Sequence, residues 1–208
     1  MVATPEAITT VEPKKEWPYK SKSVILLPYP SAALREEFLC SVFFRLRNEG
    51  ILSRTFPGTS VQVLDQFIAF MARAIGFVIP CRRDGDLVVP IGGGWLTEID
   101  NYAQKGSFGF WFFKEAWGKP ENIDGSMLML RYWTQTFNLK TLYATTLETN
   151  RLALRYSKQY GFRYLTTLPG FFGHPDGAKD AELIVLLAKE FEPIFQSWSA
   201  ERQLPALL

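Results

Sequence analysis

The chain holds one histidine, His174, and two cysteines, Cys40 and Cys81, in 208 residues. A lone imidazole in the Gly/Pro-rich stretch FFGHPDGAKD reads as a solvated loop residue, which argues against His-metal enzymes and against Ser/His/Asp or Cys/His hydrolases. The cysteines stand far apart in apolar stretches and support neither a disulfide framework nor a four-ligand zinc site, so no metal is expected and a reducing, cytosolic setting fits. Charge of one sign is lacking as well. Lys plus Arg number 23 against 21 Asp plus Glu, a formal net charge of +2, without the basic surplus that announces nucleic acid. Lys14-Lys15 and Arg82-Arg83 are short solvated pairs. No segment approaches the roughly 18 uninterrupted apolar residues of a membrane span, and the N-terminus has no apolar run behind a basic start. The chain therefore reads as soluble, unprocessed and cytoplasmic.

What is abundant is apolar matter: 47% of the residues are hydrophobic and 15% aromatic, enough for a large core. Residues 1–22 mix Pro, Lys, Glu and Thr without periodicity and read as an extended arm, suited to docking onto a neighbour in a homo-oligomer or assembly. Residues 23–190 form the main domain and 191–208 a C-terminal helix and tail. Val24 to Leu27 read as a buried strand. Leu34, Phe38, Leu39, Val42, Phe43 and Leu46 mark a helix capped at Ser31 and stopped by Gly50. Val61, Leu64, Phe67, Ile68 and Met71 mark a second helix over 60–74. Two strands follow, 76–83 and 87–91, joined by an Asp-Gly turn, and a third antiparallel partner is expected at 107–113. Gly92-Gly93-Gly94 has no Gly-Lys-Ser/Thr behind it, so it reads as a bulge or loop beside Trp95 rather than a phosphate cradle. Then come a helix from about Gly125, a strand at 139–146, a helix at 150–160, strands at 163–168 and 181–187, and an amphipathic tail helix at 191–202. Alternation over Phe108 to Phe113 sends aromatics to both sheet faces, and Phe171, Phe172 and Trp198 are candidates for exposure. The order specifies a single mixed α/β (α+β) domain, a mostly antiparallel central sheet flanked by helices, with hairpins in the middle and strand-helix-strand crossovers later.

That order, with Glu148-Thr149-Asn150-Arg151-Leu152-Ala153 followed by Gly161-Phe162, resembles the GNAT (Gcn5-related N-acetyltransferase) superfamily, where the stretch reads N-x-x-A, helix, G-F. The resemblance implies a V-shaped split between two central strands, here 107–117 and 139–146, that takes the pantetheine arm of acetyl-CoA. It also implies a diphosphate resting on the N-terminus of the intervening helix. The family's phosphate turn, Q/R-x-x-G-x-G/A, matches best at Asn122-Ile123-Asp124-Gly125-Ser126-Met127. There only Gly125 fits and Asp124 brings a negative charge. The cofactor-binding residues so implied are Phe113, Lys114, Glu115, Asn122, Gly125, Ser126, Met127 and Asn150. Asn150 is equally explained as a helix cap.

For chemistry, Glu115 is the first candidate base, with Glu98 and Asp100 behind it. Solvated carboxylates or ion-pair partners are the alternative for each. Backbone N–H groups near Phe113 to Glu115 are candidates to stabilise an oxyanion. The position of the family's acidic tyrosine, seven after the motif asparagine, is Ser157, with Tyr156 one step aside. Two functions follow from the resemblance. One is an acetyl-CoA-dependent N-acyltransferase acting on an unidentified amine. The other is a non-catalytic protein of this fold, such as a phage virion or assembly component.

Overall fold

The computed structural model describes residues 19–28, 36–58, 61–84, 87–173 and 176–202. Most of the N-terminal arm, the Ser31 cap, Ser60, the Gly85-Asp86 turn and His174 lie outside the described residues. The elements run β1 (Val24–Pro28), α1 (Glu36–Asn48), α2 (Leu52–Thr55), α3 (Leu64–Met71), β2 (Ile75–Asp84), β3 (Leu87–Pro90), β4 (Gly92–Asp100) and β5 (Lys105–Phe112). A single 3₁₀ turn at Lys114–Ala116 leads to α4 (Pro120–Thr136), β6 (Thr141–Leu147), α5 (Arg151–Gln159), β7 (Arg163–Phe172), β8 (Lys179–Leu187) and α6 (Ala188–Glu201). They build one eight-stranded sheet of order β1-β2-β4-β5-β6-β8-β7, with β3 paired to β2. Every pairing is antiparallel except β5 with β6, the two strands joined through α4.

The expected mixed sheet is present, with two additions. α2 is a single helical turn too short to register as a period. β4 replaces the expected glycine loop: Gly92-Gly93-Gly94 are buried strand residues between β2 and β5. The reason lies across the strand. Gly93 pairs with Trp111 and Trp95 with Gly109, so each indole lies over the glycine opposite. A Cβ on Gly93 would stand 2.4 Å from the Trp111 ring, and one on Gly109 2.5 Å from the Trp95 ring. The two indoles interlock at 5.4 Å between ring centres, and Phe56 stacks on Trp95 at 5.3 Å. Alternation along β5 divides the aromatics as expected. Phe108 and Phe112 enter one core with α4 and α6, while Trp111 and Phe113 enter the other under α1, α2 and α3.

α4 holds the first core together. It is buried almost throughout, and Asp124, 1% exposed, is a knot between distant parts of the chain. Its carboxylate accepts from the Ser21 and Ser23 hydroxyls at 2.7 Å, from the Trp198 indole at 3.3 Å and from Arg202 Nε at 3.2 Å. Trp198 is thus buried rather than exposed, whereas Phe171 is exposed.

Two substitutions test these interlocks by chemical denaturation. Gly109→Val should cost about 2 kcal/mol by overpacking the Trp95 ring, whereas Gly173→Ala, which meets open space, should stay within about 0.5 kcal/mol. Asp124→Ala should cost about 3 kcal/mol, because it strands two hydroxyls, an indole N–H and a guanidinium that the carboxylate satisfied.

Candidate functional site

β5 and β6 pair over three positions only, Lys105↔Thr141, Gly106↔Leu142 and Ser107↔Tyr143, and then diverge. Beyond that point β5 stays paired with β4 up to Phe112, and β6 stays paired with β8 up to Leu147. The gap is a half-open cavity of about 190 Å³. Its walls are β5 from Phe108 to Phe112, β6 from Ala144 to Thr146, one side of α5, and the α2 segment. Whole-ligand pockets measure about 300–1,000 Å³, so this volume suits a chain threaded between the strands with the rest of the ligand outside. The two facing strand edges are free to bond such a chain through their backbone.

The helix entering the cleft begins at Pro120, five residues before the expected start, and the turn ahead of it is Trp117-Gly118-Lys119, with Gly118 at φ 72°. The proposed phosphate residues therefore lie inside α4. Gly125 is where the helix presses on the sheet: a Cβ there would stand 2.9 Å from Phe112 and 3.1 Å from Pro80. Ser126 is buried and donates to the Asn122 carbonyl, and Met127 is buried in the core. Asp124 is turned into the interior knot and away from any anion. Of that group Asn122 alone lines the cavity. A helix leaves about four N–H groups outside its own ladder. Here Lys119 N–H is spent on the Ala116 carbonyl, Pro120 has none, and Asn122 N–H goes to the Lys119 carbonyl. Glu121 N–H remains, with a carboxylate on the same residue.

The carboxylates proposed as bases are not in the cleft. Glu115 lies on the 3₁₀ turn with Arg45 at 3.2 Å and Arg82 at 4.0 Å, an ion-pair partner. Glu98 is exposed on β4 opposite Ser107. Asp100 accepts from the N–H groups of Tyr102 and Ala103 and faces Lys105; the Ala103 hydrogen bond is the main cause holding its carboxyl below the usual range. Two of the proposed oxyanion donors are also taken: Phe113 N–H bonds the Ile91 carbonyl, and Lys114 N–H bonds Glu49 Oε2 at 2.6 Å. Phe113 itself is buried beneath the Arg45 guanidinium, 3.7 Å from its ring centre. The signal missing from sequence is the partner, since Glu49, Arg45 and Arg82 are remote from 113–115 in the chain.

The α5 wall does meet the cleft. Asn150 caps the helix, accepting from Ala153 N–H at 3.4 Å, and lines the cavity, as do Tyr156 and Ser157. The Ser157 hydroxyl donates to the Leu154 carbonyl at 2.9 Å. Tyr156 packs against the core while facing the cavity. Sequence reasoning passed over Tyr160, which shares the Tyr156 face at i+4 spacing. It is 2% exposed, its hydroxyl has no hydrogen-bond partner, and burial pushes its phenol up to about 12, while the neighbouring Ser126 hydroxyl, which pulls the other way, donates to Asn122 instead. It also passed over Arg54, whose helical turn gave no pattern. Among the described residues no group of three His, Cys, Asp or Glu could hold a metal, and no helix is long and apolar enough to cross a membrane.

Solved structures share this fold. Spermidine N-acetyltransferase from Vibrio cholerae, in complex with CoA and spermine, superposes with a TM-score of 0.66 at 18% identity, over 81% of this chain and 98% of the other. RimJ from Mycobacterium smegmatis, in complex with CoA-disulfide, gives 0.66 at 16% identity over 86% and 90%. A GCN5-related N-acetyltransferase from Brucella melitensis gives 0.67 at 15% identity over 87% and 83%. No curated protein matches the chain in sequence. The family model described as acetyltransferase (GNAT) domain matches residues 37–163, more than half of the chain, from α1 through the diverging strands to the start of β7. The split sheet and this match together make the chain a member of the GNAT acetyltransferase family.

Proposed function

We propose that the chain is an acetyl-CoA-dependent N-acyltransferase that moves the acetyl group directly to an amine. The observation that carries this reading is the divergence of β5 and β6 after three paired positions, which opens a cavity lined by unpaired strand edges. CoA in two of the similar structures supports the same co-substrate. No observation favours the assembly reading: Met127, the residue that could have plugged the slot, is buried in the core.

The fit to the co-substrate is uneven. The free backbone edge of β5 beyond Ser107 and the Thr145 and Asn150 side of the cleft suit a pantetheine arm, whose amides can bond backbone groups much as an added strand does. The start of α4 offers one backbone donor beside the Glu121 carboxylate, so the arm rather than the diphosphate carries the affinity. The thioester supplies an activated acetyl group. The chain's residues orient it along β5, where an edge N–H can meet the charge developing on the carbonyl oxygen. Tyr156, the phenol that faces the cavity without being fully buried, protonates the departing sulfur, and the proton that the acylated nitrogen releases passes to water, which restores the phenol. Tyr160 does not, because a phenol raised to about 12 gives its proton up poorly to a thiolate. No carboxylate lies among the described residues lining the cleft, so the amine enters already neutral.

Acetyl-CoA at one hundred times its dissociation constant should stabilise the chain by about 2.7 kcal/mol in thermal denaturation, and Ala153→Phe, which fills the slot, should erase that shift while the unliganded protein keeps its Tm. Absence of a shift at any acetyl-CoA concentration would leave the transfer reading without support. Tyr156→Phe should lower kcat about a hundredfold with acetyl-CoA affinity retained. With no carboxylate among the described residues of the cleft to act as base, log kcat/KM should rise with unit slope up to the pKa of the acceptor amine, and the inflection should move when the acceptor is changed. An inflection that stays fixed across acceptors would reveal a base on the protein.

A further inference from the structure

Arg54 is the single charged side chain among the described residues that line the cleft. It stands exposed on α2, flanked by Ile51, Thr55 and Pro57, on the α1–α3 side of the sheet where Trp111 forms the wall. The other arginines of this region are engaged: Arg45 bonds Glu49 and reaches Glu115, and Arg82 reaches Glu115 as well. Arg54 forms no ion pair with any described residue. A guanidinium at the rim of an aromatic slot, with no carboxylate among the described lining residues, presents a positive field and a planar fork of donors.

The inventory has a second side. An ammonium group needs a carboxylate or an aromatic cage to replace its water. Among the described residues the cleft offers no carboxylate, and beside its aromatic wall the one cation among them repels a second positive charge. A polyamine would enter with the wrong sign of charge. An acceptor with a carboxylate beside its amine would bring the fork its natural partner and leave the neutral amine free to face the thioester.

Resting on the transfer reading above, we infer that Arg54 is the specificity-determining residue of the acceptor side, selecting an amine that carries a carboxylate and rejecting polycationic amines. Its chemistry is a bidentate charge-assisted hydrogen bond between guanidinium and carboxylate, made on binding and unchanged by the transfer.

Titration of the protein, with and without saturating CoA, against glycylglycine, glycylglycinamide and spermidine tests it. The first two have closely similar amines and differ in the carboxylate. Glycylglycine should bind at least about tenfold more tightly than its amide, and spermidine least. Arg54→Gln should bring glycylglycine down to the level of the amide, and Arg54→Lys should restore part of the difference, since an ammonium keeps the charge but loses the fork. Both variants alter an exposed side chain, and their Tm values report whether the fold is kept. Equal binding of acid and amide, preference for spermidine, binding of none of the three, or indifference to Arg54→Gln would overturn the inference. The two readings fail separately. An acetyl-CoA shift without carboxylate preference removes the acceptor assignment alone, whereas an Arg54-dependent preference without an acetyl-CoA shift removes the transfer reading and leaves an anion-selective cleft.

Discussion

The cleft depends on strand edges that two neighbouring strands decline to share. β5 is held on its far side by β4 along its whole length, and β6 by β8 over seven consecutive pairs, so each strand has one satisfied edge whatever happens between them. Their common edge closes for three pairs and then opens. Buried N–H and C=O groups left this way would each cost about 1–3 kcal/mol. An open cleft avoids that cost by letting water, or a ligand with its own amides, complete the bonding. At the end of β5 the Trp117 indole donates to the Phe112 carbonyl at 2.8 Å and the chain enters a 3₁₀ turn, which ends the strand. The site is therefore a property of backbone geometry, and side chains adjust it.

That geometry is kept in place by packing on both faces. On one, the Trp95 and Trp111 indoles lie across Gly109 and Gly93, locking β4 to β5 through shape rather than hydrogen bonds alone. On the other, α4 presses on the sheet at Gly125, and Asp124 gathers the segment before β1 and the end of α6 around the same helix. A helix fixed this firmly sets where its first turn meets the cleft. It also explains why residues that look like a phosphate turn are absent from the surface: the glycine is needed for close approach to Phe112, and the aspartate is needed inside.

The fold was legible because strands and helices announce themselves through their own side chains, and the stretch Asn150 to Phe162 carries both a cap and a helix stop. What escaped was written in partners. The three glycines of β4 have no pattern of their own; Gly93 is explained by Trp111 across the strand pair, and Gly94 by Met129 and Trp133 of α4. Pro120 opens α4 five residues before Gly125 because proline suits the first position of a helix, where no apolar periodicity yet marks the start. Glu115 was a plausible base until Arg45 and Arg82 were brought beside it by the fold. Arg54 sits on a four-residue helix, below the length at which periodicity speaks.

The distribution of charge around the cleft follows from the same economy. The arginines and glutamates near the end of β5 neutralise one another, and the donors at the start of α4 are largely spent within the chain. Where the family pattern would hold an anion on bare backbone, this chain has Pro120 and Glu121, and among the described lining residues the one charged side chain is Arg54, on α2. Because electrostatic attraction discriminates most where no counter-charge is already present, the proposed transfer would place recognition by charge toward the acceptor end rather than the nucleotide end. On that proposal the nucleotide end would be left to shape and to the strand edges, which read amides and are indifferent to charge.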